Sequence, residues 1–197
     1  MKRLFIDKMT IDNNSLLGPA PRLLLWVHGC NKKCPGCIAV DWNNALSAQY
    51  SLSVGTLIQL INANSDIEGI TISGGEPFLQ AEALSQLICN INKGIIIYSG
   101  YTKHELEQMS SEYVAAILKS IDVLIDGEYI EDLNDDKPFR GSSNQIIHQF
   151  TDRYNWFYSS DSKRNTQIEK KEGFLYLYGI PDKLTRTEWL MLKDNIE

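Results

Sequence analysis

The sequence predicts an α/β fold with a mostly parallel sheet, and three features carry that expectation. Four short runs are almost continuously apolar and β-branched: 22–29 (RLLLWVHG), 67–75 (IEGITISGG), 95–100 (IIIYSG) and 121–129 (IDVLIDGEY). Strands that are apolar without alternation belong to sheets covered on both faces, which are mostly parallel. Stretches with helical spacing separate the runs, as βαβ units require. Two of the runs end in glycine-rich turns, where such sheets bind ligands.

Taken in order, 22–29 is a buried strand and 54–64 (VGTLIQLINAN) has apolar residues at helical spacing. Strand 67–75 stops at a glycine pair, and helix 80–94 (QAEALSQLICNINKG) follows with Gly94 as its C-terminal cap. Strand 95–100 leads to helix 102–120, which opens with Thr102 three residues before Glu105, a capping-box pattern. Strand 121–129 is the fourth. Beyond it, 131–138 (EDLNDDKP) reads as an acidic loop and 159–173 as a polar, mobile stretch. A further strand at 174–181 would lie on a sheet edge, and 183–197 reads as a short helix with a frayed end. The expected organisation is a core over 1–150 and a C-terminal extension over 151–197 packed on or beside it.

Composition narrows the class. Hydrophobic residues make up 43% of the 197 and charged residues 22%, ordinary for a globular domain. A net charge of −6 argues against nucleic-acid binding, which needs a basic face. No apolar run is long enough for a transmembrane helix, and 1–15 lacks the apolar segment of a secretory signal. A cytoplasmic location with reduced thiols is therefore expected. There, clustered cysteines indicate metal binding or catalysis rather than disulfides.

Three of the four cysteines lie in 29–37 (GCNKKCPGC) as C-x3-C-x2-C: Cys30, Cys34 and Cys37. Three thiolates are one short of a closed zinc site and one short of the set that normally holds a four-iron cluster. By spacing alone zinc and iron–sulfur both remain open, with His28 a conceivable fourth zinc ligand. In the cluster reading the open iron is the place of the substrate. Cys89, inside the expected helix 80–94, reads as a core residue. The second motif is 71–77 (TISGGEP): Gly74 and Gly75 permit close backbone approach, and Glu76 can face an ammonium group. A plain strand-to-helix turn would look similar.

Together the two motifs resemble the radical S-adenosylmethionine (SAM) enzymes. The resemblance implies a partial (β/α) barrel with a curved sheet, a [4Fe-4S] cluster and S-adenosyl-L-methionine as cofactors, and an oxidoreductase mechanism that passes through a 5′-deoxyadenosyl radical. It implies that Cys30, Cys34 and Cys37 hold the cluster, that Gly74, Gly75 and Glu76 hold the methionine amino group, and that Gly36 and Ile38 flank the nucleoside. Many members carry an aromatic residue where Gly36 stands. The stretches 98–102, 122–129 and 139–145 narrow the resemblance to single-cluster activating enzymes of the anaerobic ribonucleoside-triphosphate reductase kind. The implied partners are a large glycyl-radical enzyme and a flavodoxin- or ferredoxin-type donor. Ser99 would bond the methionine carboxylate or ribose, or cap a turn; Asp126 would bind a cation or cofactor group, or form a turn before Gly127. Arg140 would anchor a carboxylate or a partner's backbone, while His104 and His148 read as exposed. Asp41 and Trp42 stand where the group carries a different pair, which keeps open modification of another peptide or small molecule. A metal-binding adaptor without turnover is the contrasting class.

Overall fold

The computed structural model describes residues 2–40, 48–158, 164–171 and 173–194. In chain order these form β1 (Arg3–Asp12), β2 (Arg22–Val27), β3 (Tyr50–Ser53), α1 (Val54–Ala63), β4 (Gly69–Gly74), α2 (Ala81–Ile88) and β5 (Gly94–Tyr98). There follow α3 (Lys103–Gln108), α4 (Glu112–Ser120), β6 (Val123–Asp126), β7 (Ile146–Gln149), α5 (Asn155–Tyr158), β8 (Thr166–Lys171), β9 (Phe174–Gly179) and α6 (Lys183–Asp194).

The fold is mixed α/β around a seven-stranded sheet of order β3-β1-β2-β4-β5-β6-β7. The four strands expected from the sequence are its parallel centre, β2, β4, β5 and β6. Sequence reasoning missed three others. The N-terminal β1 runs antiparallel to both β2 and β3, and β7 runs antiparallel to β6. β1 alternates between buried and exposed positions, so it has no continuous apolar run. β3 and β7 are four residues each and only partly covered.

The central strands are laid down in one direction, β2 to β6. Right-handed crossovers then put every connecting helix on the same face. Alternate strand residues follow. Leu25, Ile70, Ile72, Ile97 and Leu124 pack in one cluster with Leu57 and Ile61 of α1, Leu84 and Leu87 of α2, and Ile117 of α4. Each fully buried leucine or isoleucine there contributes about 1.5–3 kcal/mol. The intervening residues face the other way. Ile96, Val123 and Ile125 meet Tyr154, while Leu24 and Trp26 meet Leu16, Leu17 and Tyr178. That second face is covered by the segment after β1, the α5 region and the C-terminal segment, not by helices of the βαβ units.

Several boundaries differ from expectation. The helix foreseen over 80–94 begins after a 3₁₀ turn (Pro77–Gln80) and stops at Ile88, with Cys89 as its C-cap. Cys89 is therefore exposed rather than in the core, and Gly94 opens β5 instead of capping the helix. The helix over 102–120 is two helices. Thr102 and Glu105 make the expected capping box, and Ser111 caps a new helix by accepting from Val114 N. Of the stretch read as mobile, Thr166–Lys171 is a strand paired antiparallel to Phe174–Gly179. The 174–181 strand is thus half of a separate hairpin, not an edge of the main sheet. No described helix is long and apolar enough to cross a membrane.

Candidate active site

The carboxyl ends of the central strands open into a cavity of about 580 Å³. Cys30, Cys34 and Cys37 all line it, together with Gly74, Gly75 and Glu76. The two motifs, some forty residues apart in the sequence, therefore line one cavity. Gly36, Ile38 and Ser99 line it as well.

The cysteine loop starts where β2 ends. His28 is not among the cavity residues; its Nδ1 meets both oxygens of the Asp7 carboxylate at 3.0 Å, and its backbone N–H donates to Phe5 O. Cys30 Sγ accepts from Lys32 N at 3.4 Å. Cys34, Pro35, Gly36 and Cys37 form a tight turn closed by Cys37 N donating to Cys34 O at 3.2 Å. Proline second and a glycine at φ +71° third is the pattern a type II turn requires. All three thiols are half-buried. Burial raises the Cys34 thiol pKa, the backbone N–H of Tyr129 works against that rise, and Glu128 and the two neighbouring cysteines add to it. A thiol whose ionisation is opposed by burial and by two neighbouring cysteines suits a positive metal centre, which would take it as a thiolate. Among the described residues no group of three His, Cys, Asp or Glu side chains converges enough to close on a single ion. The three half-buried thiols all line one cavity and come from one short loop, a donor set that fits a cluster held by three of its corners.

The glycine pair has a physical reason in the fold. Gly74 has φ +109°, and a Cβ there would meet Val27 N at 2.5 Å. A Cβ on Gly75 would fall on the carbonyl of Gly29, with Gly29 C at 2.6 Å. Gly75 N donates to Val27 O at 2.8 Å and Glu76 N to Gly29 O at 2.7 Å. The close approach is thus between the β4 turn and the root of the cysteine loop.

Glu76 is 1% exposed. Its Oε1 accepts from Phe78 N and Ser99 Oγ, both at 3.0 Å, and its Oε2 from Gly100 N at 2.7 Å. Burial raises its pKa, while those three bonds and the Lys32 charge oppose the rise. A carboxylate has about four acceptor directions, so three protein donors leave one for a ligand ammonium. The Ser99 hydroxyl also accepts from Tyr101 N at 3.0 Å, which is the turn-capping alternative.

Asp126 does not line the cavity. Its carboxylate accepts from Lys103 N at 2.5 Å and Ile146 N at 3.2 Å and meets His148 Nε2 at 2.9 Å, tying β6 to α3 and β7. These are ties between distant elements rather than contacts within a turn at Gly127, and His148 is part-buried rather than exposed. Arg140 pairs with Asp135 at 2.7 Å and donates to Gln145 O within its own loop. Asp41 and Trp42 lie outside the described residues.

Other residues at the site had no sequence signal beyond their type. Lys32, inside the cysteine run, reaches Glu128 at 3.2 Å and Glu105 at 3.5 Å. From the far end of the chain come Tyr176 and Tyr178 of β9 and Arg186 and Trp189 of α6. Lys8 lies 3.1 Å from the centre of the Tyr176 ring. Its pKa is lowered to about 8, chiefly by burial.

The chain is similar in sequence to known proteins. The family described as "4Fe-4S single cluster domain" matches residues 16–148. The anaerobic ribonucleoside-triphosphate reductase-activating protein of Vibrio cholerae is 34% identical over 145 residues, covering 68% of this chain and 91% of that protein. The protein of the same name from Enterobacteria phage T4 is 33% identical, covering 68% and 88%, and that of Escherichia coli K12 is 32% identical, covering 66% and 90%. With both cysteine and glycine motifs inside the matched span, this chain belongs to the 4Fe-4S single-cluster family, as a radical SAM enzyme of its activating group.

Proposed function

We propose that the chain activates a large protein partner by making a glycyl radical on it, the partner being an anaerobic ribonucleotide reductase-like enzyme. The observation that carries this reading is the sharing of one cavity by the three cysteines and the Gly74–Glu76 turn at the carboxyl ends of parallel strands. The names of the relatives support the choice of partner. Residues 1–150 form the catalytic core, curved as a partial barrel, and 151–197 an extension packed against it.

Cys30, Cys34 and Cys37 hold a [4Fe-4S] cluster by three corners. Reduced by one electron, the cluster with S-adenosylmethionine would supply radical hydrogen abstraction from a glycine Cα of the partner, with methionine and 5′-deoxyadenosine as the products. The chain's own work is positional. The free acceptor direction of Glu76 and the turn backbone at Gly74 and Gly75 take the methionine ammonium. Gly36 and Ile38 border the nucleoside, and Ser99 holds the Glu76 carboxylate in place. The cavity walls keep water from the radical. A flavodoxin- or ferredoxin-type protein delivers the electron, in the cytoplasm.

Anaerobic reconstitution tests this. The protein should take up about four irons per chain and release 5′-deoxyadenosine on dithionite reduction. With its partner it should give a glycyl-radical resonance. A colourless protein holding one zinc would overturn the reading. A second reading, modification of another peptide or a small molecule, is favoured by the walling of the cavity by Tyr176, Arg186 and Trp189, which lie beyond the span matched to the family. In that case 5′-deoxyadenosine would form without a glycyl radical on the reductase.

A further inference from the structure

The region matched to the family ends at residue 148, yet α6 reaches back to the cysteine loop. Arg186 Nη2 donates to the carbonyl of Gly36 at 2.7 Å across 150 residues of chain. Its Nη1 pairs with the Glu131 carboxylate. The Arg186 side chain is 15% exposed and lines the cavity. The same pair fills the space beside Gly36: a Cβ there would meet Glu131 Oε2 at 2.5 Å and Arg186 Nη2 at 2.8 Å. Gly36 is the third residue of the turn that presents Cys34 and Cys37, and its carbonyl belongs to the peptide bond leading into Cys37.

From this we propose that Arg186 is a positioning residue for the iron–sulfur site, which makes the C-terminal extension part of that site rather than an appendage. A planar guanidinium offers two donors in a fixed fork. Here one prong holds the Gly36 carbonyl and the other the Glu131 carboxylate. The turn carrying two of the three thiols is thereby tied to the loop after β6 and to α6. The fork also lies where a side chain at position 36 would otherwise stand, so the extension forms the wall of the cavity at that point. Other contacts secure the extension independently. Arg164 donates to the carbonyls of Lys137, Pro181 and Arg140, and Tyr178 packs against Trp26 at 5.8 Å. Loss of Arg186 therefore leaves the extension attached while releasing the turn.

The inference rests on the cluster assignment above, and the test separates the two. Full-length Arg186→Ala, Arg186→Lys and Cys30→Ala are compared with the unaltered protein in two states. In the apo state under reducing conditions, the alkylation rates of Cys34 and Cys37 are followed by peptide mass spectrometry, with Cys89 as internal reference. After reconstitution, iron content and the electron paramagnetic resonance of the reduced cluster are recorded with and without S-adenosylmethionine. Losing a charged hydrogen bond of this kind predicts Cys37 alkylation faster by about tenfold in Arg186→Ala. It also predicts a changed resonance and weaker binding of S-adenosylmethionine, with Cys89 unaltered. Arg186→Lys, which keeps one prong, should be intermediate. If Cys30→Ala loses the cluster but Arg186→Ala matches the unaltered protein in alkylation and resonance, the proposal for Arg186 fails while the cluster assignment stands. If Cys30→Ala retains the full cluster and resonance, the assignment itself fails.

Discussion

Gly75→Ala should damage the protein where its two motifs meet. The new methyl would lie on the Gly29 carbonyl, 2.6 Å from its carbon. Both groups are backbone, so no rotamer can relieve the clash, and the β4 turn must part from the cysteine loop. Parting stretches the bonds from Gly75 N to Val27 O (2.8 Å) and from Glu76 N to Gly29 O (2.7 Å). Overpacking costs about 1–3 kcal/mol and each lost bond about 0.5–1.5 kcal/mol, which sums to roughly 2–6 kcal/mol. Gly55→Ala is the control. It lies in α1, its nearest atom is Ser53 Oγ at 3.8 Å, and alanine there should stabilise by about 0.5–1 kcal/mol. Urea unfolding of the reduced apo proteins reads both. The reasoning is refuted if Gly75→Ala unfolds at the same urea concentration as the unaltered protein and reconstitutes to the same iron content.

The other predictions concern the thiols, the core and two titrating groups. Alanine at Cys30, Cys34 or Cys37 should abolish cluster uptake, whereas Cys89→Ala, at an exposed helix cap, should retain it and change stability by less than about 0.5 kcal/mol. Leu84→Ala, at 0% exposure in the helix-covered cluster, should cost about 2–5 kcal/mol in the same urea assay. The Glu76 pKa is raised in the folded state, so its contribution is fully present below its ordinary value of 4.5 and is lost as pH rises through the folded value. The stability advantage of the unaltered protein over Glu76→Gln should accordingly shrink as pH increases from 4.5. Lys8 has the opposite slope. Its folded pKa of about 8 lies below the ordinary 10.5, so stability should rise between those values, and Lys8→Met should flatten that rise in thermal melts taken across it.

Burial decided what the sequence could reveal. β2, β4, β5 and β6 are covered on both faces, so nearly every residue is apolar and each stands out as a run. β1 is longer, but Asp7, Lys8 and Asp12 interrupt it and hide a strand that reaches the core only with alternate residues. β8 reads TQIEKK and gives no apolar signal; it is a strand only because β9 pairs with it. Helical spacing continues past Ile88 in the sequence while the chain has already turned toward β5, which is why Cys89 reads as core yet stands at an exposed cap. At the site the donors were legible from type and spacing: three thiols, two glycines and a carboxylate. Their partners were not. The hold of Ser99 and Gly100 on Glu76, and of Arg186 on Gly36, joins residues 23, 24 and 150 apart that only the fold brings together.

The central claim is a cluster held at three corners with its fourth iron open to S-adenosylmethionine. Mössbauer spectroscopy of the anaerobically reconstituted, iron-57-labelled protein tests it most directly. The account predicts about four irons per chain, one of which changes its isomer shift when S-adenosylmethionine is added while the other three do not. Four irons that all ignore the addition, or a site filled by a single zinc, would contradict it.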